Sequence, residues 1–583
     1  MNITDRVIPT SQPADMPTHK ILVDGSEIKT YYPIHSIYVT KCANKIASAQ
    51  IIIYDGDAAE ENFEISSTED FIPGKEIEIK AGYYSDNSTI FKGIIVKHGI
   101  QVRRNKPSFL IVDCKDHAVK MTIGRKNGYY YESKDSEIIE EITGKYSLDS
   151  DIEPTDVTHK EMVQYSSTDW DFILSRAEVN GKLVYCSDGK ITVKKPEISG
   201  SSVISLLYGA TMLEFEGEID IRRQFSSVKA YSWDSSSQEV TEIEASDPSI
   251  EEQGNLVSTD LADITGSEPY ELKHPGGIAD SELQAWADSK LMRSRLSKII
   301  GRAKFQGFPD VAPGDTIEIG GVGDRFNGKA FAAAVKHQIT PQNWETDIQF
   351  GIPEDYFIHR NKVNDIEAAG LLPGVKGLHI GTVTKLESDP DGEDRIQVKI
   401  PFINTNDDGI WARVSTLDAG SERGSFFRPE IDDEVILGFI GEDPRKPVVL
   451  GMVNSSSKPA PLKASDQNPE KGFVTREKIK FIFNDEKKSI EIETPGGHKI
   501  SISDDQAAIE IQDSNNNKYK MSSEGISLES NAKISIKANS DVEIEGVNVQ
   551  IKASAEFKAE GSSGAKIESS GIAELKGSLV KIN

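Results

Sequence analysis

Between residues 525 and 583 apolar side chains return in pairs, two positions apart, at an almost constant interval: Ile526/Leu528, Ile534/Ile536, Val542/Ile544, Val549/Ile551, Phe557/Ala559, Ala565/Ile567, Ala573/Leu575 and Val580/Ile582. The first members of successive pairs are 8, 8, 7, 8, 8, 8 and 7 residues apart, with Ser, Lys, Glu, Asn and Gly between them. Alternation within a pair marks a strand with one buried face, and a short fixed period means that near-identical strands stack, so the stretch reads as a β-solenoid. The period also bears on chain number. Eight residues at about 3.3 Å each cover roughly 26 Å, one side of a triangular prism, and a closed turn needs three sides. A single chain supplying a turn of roughly 24 residues would let its three sides differ and would repeat at that longer interval. Every step here is alike, which fits three identical chains that each give one side per turn. The expectation is an intertwined trimeric β-prism, stiff, with a dry apolar core, and with a tip where the chain ends.

Upstream the same pairs occur with looser spacing, Phe481/Phe483, Ile490/Ile492, Ile500/Ile502, Ile509/Ile511 and Tyr519/Met521, in steps of 9, 10, 9 and 10. A Ser-, Pro- and Lys-rich loop precedes them. Residues 377–454 hold short strands (380–386, 396–400, 411–414, 434–440) and a hairpin signal at Asp391-Gly392, the pattern of a small closed barrel. Up to about Asp365 the chain is mostly β, with strand-like runs at 36–40, 49–54, 76–81, 90–97 and 109–114. Three helices interrupt it. Residues 135–146 put Ile138, Ile139 and Ile142 on one face. Residues 168–181 open on a capping box, Thr168 with Asp171, and stop at Asn180-Gly181. Residues 281–300 carry Leu283, Trp286, Ala287 and Leu291 at helical spacing.

Charge and cysteine usage exclude some classes. A net charge of −28 argues against nucleic acid or an anionic membrane as the main partner, since phosphate neutralisation takes clusters of Lys and Arg. Cys42, Cys114 and Cys186 are odd in number and far apart, which fits a reducing compartment of assembly rather than a disulfide framework. Residues 1–20 lack an apolar core of the kind a secretory signal needs, and no run of eighteen apolar residues occurs. The expectation is assembly in the cytoplasm without a Sec signal, followed by ejection.

A family resemblance sits on the barrel segment: Gly381-Thr382-Val383, Asp389-Pro390, Arg395-Ile396-Gln397-Val398, Trp411-Ala412-Arg413-Val414, Arg428-Pro429-Glu430-Ile431-Asp432-Asp433-Glu434-Val435, residues 441–447 and 451–454. It resembles the OB-fold of VgrG spike proteins and phage tail spikes. Residues 71–79 with Gly82-Tyr83 and Phe91-Lys92-Gly93, residues 169–178 with Asn180-Gly181, and 313–317 with Phe326-Asn327-Gly328 look like the hub of that family. Residues 494–500 are similar to the start of its needle. The resemblance implies a mainly β chain in the family's order: an α+β hub of two β-barrel subdomains with helical insertions (1–365), a linker (366–376), an OB-fold (377–454), a second linker (455–474) and a trimeric β-helix needle (475–583). It implies a homotrimeric spike at the tip of a contractile injection system. The trimer would join an Hcp-like inner tube protein and baseplate components to the puncturing needle, and would bear effector cargo. The short second linker leaves no room for the lysozyme that some relatives insert there. The last residues lack the His-x-His apex of some phage spikes, so by analogy a PAAR-type tip protein docks on Leu579, Val580, Lys581, Ile582 and Asn583. The type of injection machine is left open.

No residue set points to catalysis, a cofactor or a metal. Asp389-Pro390-Asp391-Gly392-Glu393-Asp394 begins like a calcium loop, but its twelfth position is Ile400 where a Glu is needed, so it reads as a hairpin turn. Cys114 and His117 lack a second ligand pair. Gly320-Gly321-Val322-Gly323 lacks the context of a dinucleotide site. Asp432-Asp433-Glu434 reads as a solvated turn before a strand, and His498 as a turn residue. Two rival classes, a trimeric surface fibre and an OB-fold nucleic-acid binder, would need an export signal and a basic aromatic strand face respectively.

Overall fold

Every second side chain of the strand Lys45–Tyr54 is buried, from Ala47 through Ala49 and Ile51 to Ile53, so the strand has one face in a core and one toward solvent. The computed structural model describes residues 16–198, 200–266, 268–363 and 365–582, divided into two units, 1–375 and 376–583. In the first unit the strands Pro17–Val23, Ile34–Cys42, Lys45–Tyr54, Glu76–Tyr83, Asp86–Gln101 and Phe109–Lys115 enclose Ile37, Val39, Ile51, Phe71, Phe91 and Val112. A second group, Met212–Ile219, Ile299–Gln306, Thr316–Gly320, Gly328–Ile339 and Trp344–Phe350, encloses Phe305, Ile317, Ile348 and Phe350.

The strands of both groups hydrogen-bond into one thirteen-stranded sheet. The seam is antiparallel pairing of Gly328–Ile339 with Ile34–Cys42, from Ala334 opposite Cys42 to Ile339 opposite Ile37. Each group thereby covers an edge of the other that would otherwise present unpaired N–H and C=O groups.

Among the described residues five α-helices occur: α1 (Asp135–Gly144), α2 (Asp169–Val179), α3 (Ser258–Ile264), α4 (Asp280–Leu296) and α5 (Phe357–Arg360). Thr168 caps α2 by accepting a hydrogen bond from the Asp171 N–H at 3.0 Å, and Gly181 ends the turn after it in the left-handed region, at φ +67°. The apolar stripes of α1, α2 and α4 all face cores, and a polar knot ties the three helices together as well. Arg176 on α2 reaches Asp135 on α1 (2.7 Å) and Glu282 on α4 (2.7 Å), while His159 and Asn180 close on the same Asp135 carboxylate at 3.0 and 2.8 Å. Burial alone would raise the Asp135 carboxyl. The hydrogen bonds from His159 and Arg176, with the Arg176 charge, outweigh that and hold it well below the usual carboxylate range.

In the second unit His379–Lys385, Ile396–Lys399, Ile410–Val414, Pro447–Met452 and Glu434–Phe439 close a five-stranded barrel around Val383, Ile396, Val398, Ala412, Val435, Leu437 and Val449. Gly409 enters the third strand at φ +89°, and a Cβ there would stand 2.0 Å from the Val398 carbonyl oxygen, so only glycine fits. No helix among the described residues is long and apolar enough to cross a membrane.

His337, on the seam strand, is fully enclosed between Thr346 (3.1 Å) and the Trp344 ring. Burial, aided by the Lys41 charge, lowers its pKa from 6.5 to about 3. The unfolded chain therefore binds a proton that the folded chain refuses between those two values. Stability carried by neutral His337 is complete above pH 6.5 and is lost as pH falls toward 3, at up to about 1.4 kcal/mol per pH unit. Urea midpoints of the first unit's transition should fall between pH 7 and 5, and the fall should be shallower in His337→Phe. An equal fall in the variant would refute the assignment.

Candidate assembly surface

Seven strands, Glu470–Val474, Lys480–Asn484, Ser489–Glu493, Lys499–Ser503, Ala508–Gln512, Lys518–Ser522 and Gly525–Glu529, pair in order as an antiparallel meander. The register lines up two apolar rows on one face. One runs Phe483, Ile490, Ile502, Ile509, Met521, Ile526, and the other Phe473, Phe481, Ile492, Ile500, Ile511, Tyr519, Leu528. This face is open: Ile502 is 44% exposed, Ile511 47% and Leu528 54%. The opposite face inverts the usual rule. Ser489, Ser501 and Ser503 are buried there, and cross-strand pairs Lys480–Glu493 (3.0 Å), Lys499–Glu491 (2.9 Å) and Lys518–Glu510 (2.6 Å) flank them. A trough of about 650 Å³ on the apolar side is lined by Ile492, Ile500, Ile511, Tyr519, Leu528 and Ile534.

The looser spacing explains the meander. A five-residue strand and a four- or five-residue turn make a step of 9 or 10, and the turns carry left-handed residues at Lys488, Gly497, Ala507 and Asn516. The first octad pair, Ile526/Leu528, belongs to this meander rather than to the run after it. Beyond Glu529, residues 530–582 form no strand pairing with any described residue. They stay two-faced all the same. Lys558–Glu560 (2.7 Å) and Lys576–Glu574 (3.0 Å) bond two positions apart, as does Lys566 to Glu568, so their side chains share one side of an extended backbone. The alternate residues, Ile567 (86% exposed) and Leu575 (75%) among them, have nothing over them. Leu579, Val580, Lys581 and Ile582 are exposed, without regular structure and without mutual hydrogen bonds among the described residues, and Asn583 lies outside those residues.

An aromatic ladder joins the barrel to the meander: Phe427 stacks on Phe473 (5.1 Å between centroids), which meets Phe481 (6.4 Å), which meets Phe483 (4.9 Å). Phe473→Ala removes the middle rung. With aromatic contacts worth about 0.5–1.5 kcal/mol each, amide exchange over 470–484 should accelerate about tenfold. Unchanged exchange would mean that the ladder holds nothing.

The chemical candidates come apart in the structure. Arg395 clamps Asp389 and Asp391 (2.5 Å each) and Arg428 takes Asp394, so the calcium-like loop is closed by guanidinium groups, and Ile400 sits in the barrel core. Cys114 points into a core, where burial pushes its thiol up, while His117 turns to Glu76 at 2.9 Å. Gly321 and Gly323 are left-handed loop positions, Asp433 pairs with Lys458 (3.3 Å), and His498 closes a turn with Thr494. No group of three or more His, Cys, Asp or Glu among the described residues could hold a metal ion. One feature escaped sequence reasoning: Arg103, Arg104 and Lys106 form a basic cluster on a hairpin tip, too short a run to stand out in so acidic a chain.

Residues 13–341 match the family model described as the Alg8 N-terminal domain, and residues 379–453 match the type VI secretion system/phage-baseplate injector OB domain. A stretch of 105 residues is 31% identical to the type VI secretion system spike protein VgrG3 of Vibrio cholerae serotype O1, covering 16% of this chain and 10% of that protein. Among solved structures, the 43 kDa tail protein of prophage MuSo2 from Shewanella oneidensis aligns at TM-score 0.44 and 10% identity, over 58% of this chain and 99% of that one. A chain of the Francisella PdpA–VgrG complex aligns at TM-score 0.37 and 8% identity, over 88% of each chain.

Proposed function

Since this chain belongs to the family of the Alg8 N-terminal domain, whose model spans more than half of it, and is VgrG-like in its injector OB domain, we propose that it is the spike of a contractile injection machine. Three copies build a needle from residues 470–583. Their hubs meet an Hcp-like inner tube and the baseplate, and the needle end carries a PAAR-type tip protein and effector cargo. The chain assembles inside the cell and leaves with the fired needle. Its work is mechanical, without catalysis or a cofactor: it transmits thrust from the tube to a point.

The observation that carries this reading is the inverted sheet. A free chain would leave two rows of Ile, Phe, Tyr, Met and Leu in water beside a Lys–Glu face that is already satisfied. Two further copies, each bringing the same rows, cover them at once, and a threefold arrangement closes. The backbone of 530–582 makes the same demand, since extended strands need lateral partners and the described residues of the chain supply none.

Light scattering on the purified full-length chain should give three times its 64.1 kDa, and a version truncated after residue 454 should lose or weaken that association. Ile502→Asp with Ile511→Asp alters only exposed positions of one chain, so both cores should persist while the mass falls to that of a single chain. In cells that make the machine, the same pair should abolish cargo delivery. A full-length chain at single-chain mass, or undiminished delivery by the double variant, would overturn the proposal.

A further inference from the structure

The long strand Asp86–Gln101 and its neighbour Phe109–Lys115 pair as far as Gln101 opposite Phe109 and then run on into a tip. The tip turns on a bond from the Lys106 N–H to the Arg103 carbonyl (3.2 Å), with Asn105 left-handed at φ +59°, and it holds Arg103, Arg104 and Lys106 in solvent. Beside these cations Ile100 is 55% exposed and Val102 67%. Lysines elsewhere on this sheet have carboxylates: Lys75 with Asp24 (3.5 Å), Lys92 with Glu78 (3.4 Å), Lys97 with Asp113 (3.9 Å). The three tip cations have none among the described residues.

A loop of opposite charge is rooted at the same end of the sheet. The Asp55 N–H bonds to the Ser108 carbonyl (3.2 Å), Ser66 Oγ lies 2.7 Å from His98 Nε2, and His98 Nδ1 lies 3.0 Å from the Phe71 carbonyl, so residues 55–71 are pinned against the hairpin. The Asp55 carboxylate accepts from the N–H groups of Ile65 (3.2 Å) and Ser66 (2.7 Å), which fixes the loop's own shape. Its outer side shows Asp57, Glu60, Glu61 and Glu64 to solvent, and among the described residues their carboxylates bond only where Asp57 caps the following turn, at Ala59 (2.8 Å) and Glu60 (3.4 Å). Anchored side by side, the cations and the carboxylates form no ion pair with each other.

A surface that carries an unpaired basic tip next to an unpaired acidic loop is complementary to a displaced copy of itself. On a neighbouring copy the same loop offers the tip four exposed carboxylates, Asp57, Glu60, Glu61 and Glu64. We infer that the 103–106 tip of one chain docks on the 57–64 loop of the next copy around the hub, a head-to-tail contact that closes as a ring. Such rim charges chiefly set register and encounter rate, and Ile100 and Val102 supply the apolar part. The inference rests on the reading of the chain as a trimer, and it adds a hub interface separate from the needle.

The test uses full-length chains. A Lys106→Cys chain and a Glu61→Cys chain are co-expressed and treated with a short bismaleimide. A linked pair of chains should form when both variants are present and not from either alone, which also controls for the native cysteines. Adding Arg103→Glu and Arg104→Glu to the first chain should lower the yield roughly threefold or more, because like charges then face each other. An assembly of trimer mass with no linked pair would overturn this contact and leave the spike reading intact. Linkage by one variant alone would overturn it too, since the contact would then be like on like. A single-chain mass would remove both the contact and the spike reading.

Discussion

The arrangement of the second unit depends on where the meander spends its charges. Lys480, Lys499 and Lys518 pair with Glu493, Glu491 and Glu510 across neighbouring strands and flank the serines, so the polar face needs nothing from outside. Its apolar face is left with no cover from its own chain. Full burial of one large aliphatic side chain is worth about 1.5–3 kcal/mol, so two half-exposed rows amount to a reserve on the order of 10 kcal/mol per chain before the cost of association is subtracted. In the proposed trimer, that reserve is what association draws on.

The apolar pairs of the second unit fall into two sections that differ in how their backbone is paired. From Glu470 to Glu529 each strand turns back on the last and pairs with it within one chain. After Glu529 the chain goes on without turning back, and residues 530–582 pair with no described strand. In the proposed trimer the first section closes its own ladder, and the second takes its lateral bonds from the other copies.

The hub answers a different demand. Its helices are locked by a buried knot of Asp135, Arg176, His159 and Glu282 and by the pair Arg293–Glu178 (3.2 Å), contacts that are costly to break one member at a time. The seam between Ile34–Cys42 and Gly328–Ile339 makes one sheet of two strand groups, so a force on either is passed through backbone hydrogen bonds rather than through a hinge. The charged tip and loop sit together at the turn end of its long hairpin.

Much of this was legible in the residues themselves. Periods of 2, 3.6 and 8 to 10 are local properties of the chain, and they specified the strands around Ala49 and Phe109, the helices at Ile138, Trp170 and Leu283, the small barrel and the paired strands of the needle. The turn at Asp389 and the solvated acids at Asp432 could likewise be read from neighbours within a dozen positions. The tertiary structure decided what no local period records. It joined strands almost three hundred residues apart at the seam, and it placed Arg176 between Asp135 of one helix and Glu282 of another. It brought the 55–71 loop against a basic tip whose three cations look unremarkable in sequence. Which face of a strand is apolar follows from alternation alone. Which other strand lies beside it, and whether that strand belongs to the same chain, depends on backbone hydrogen bonds that only the folded arrangement can assign.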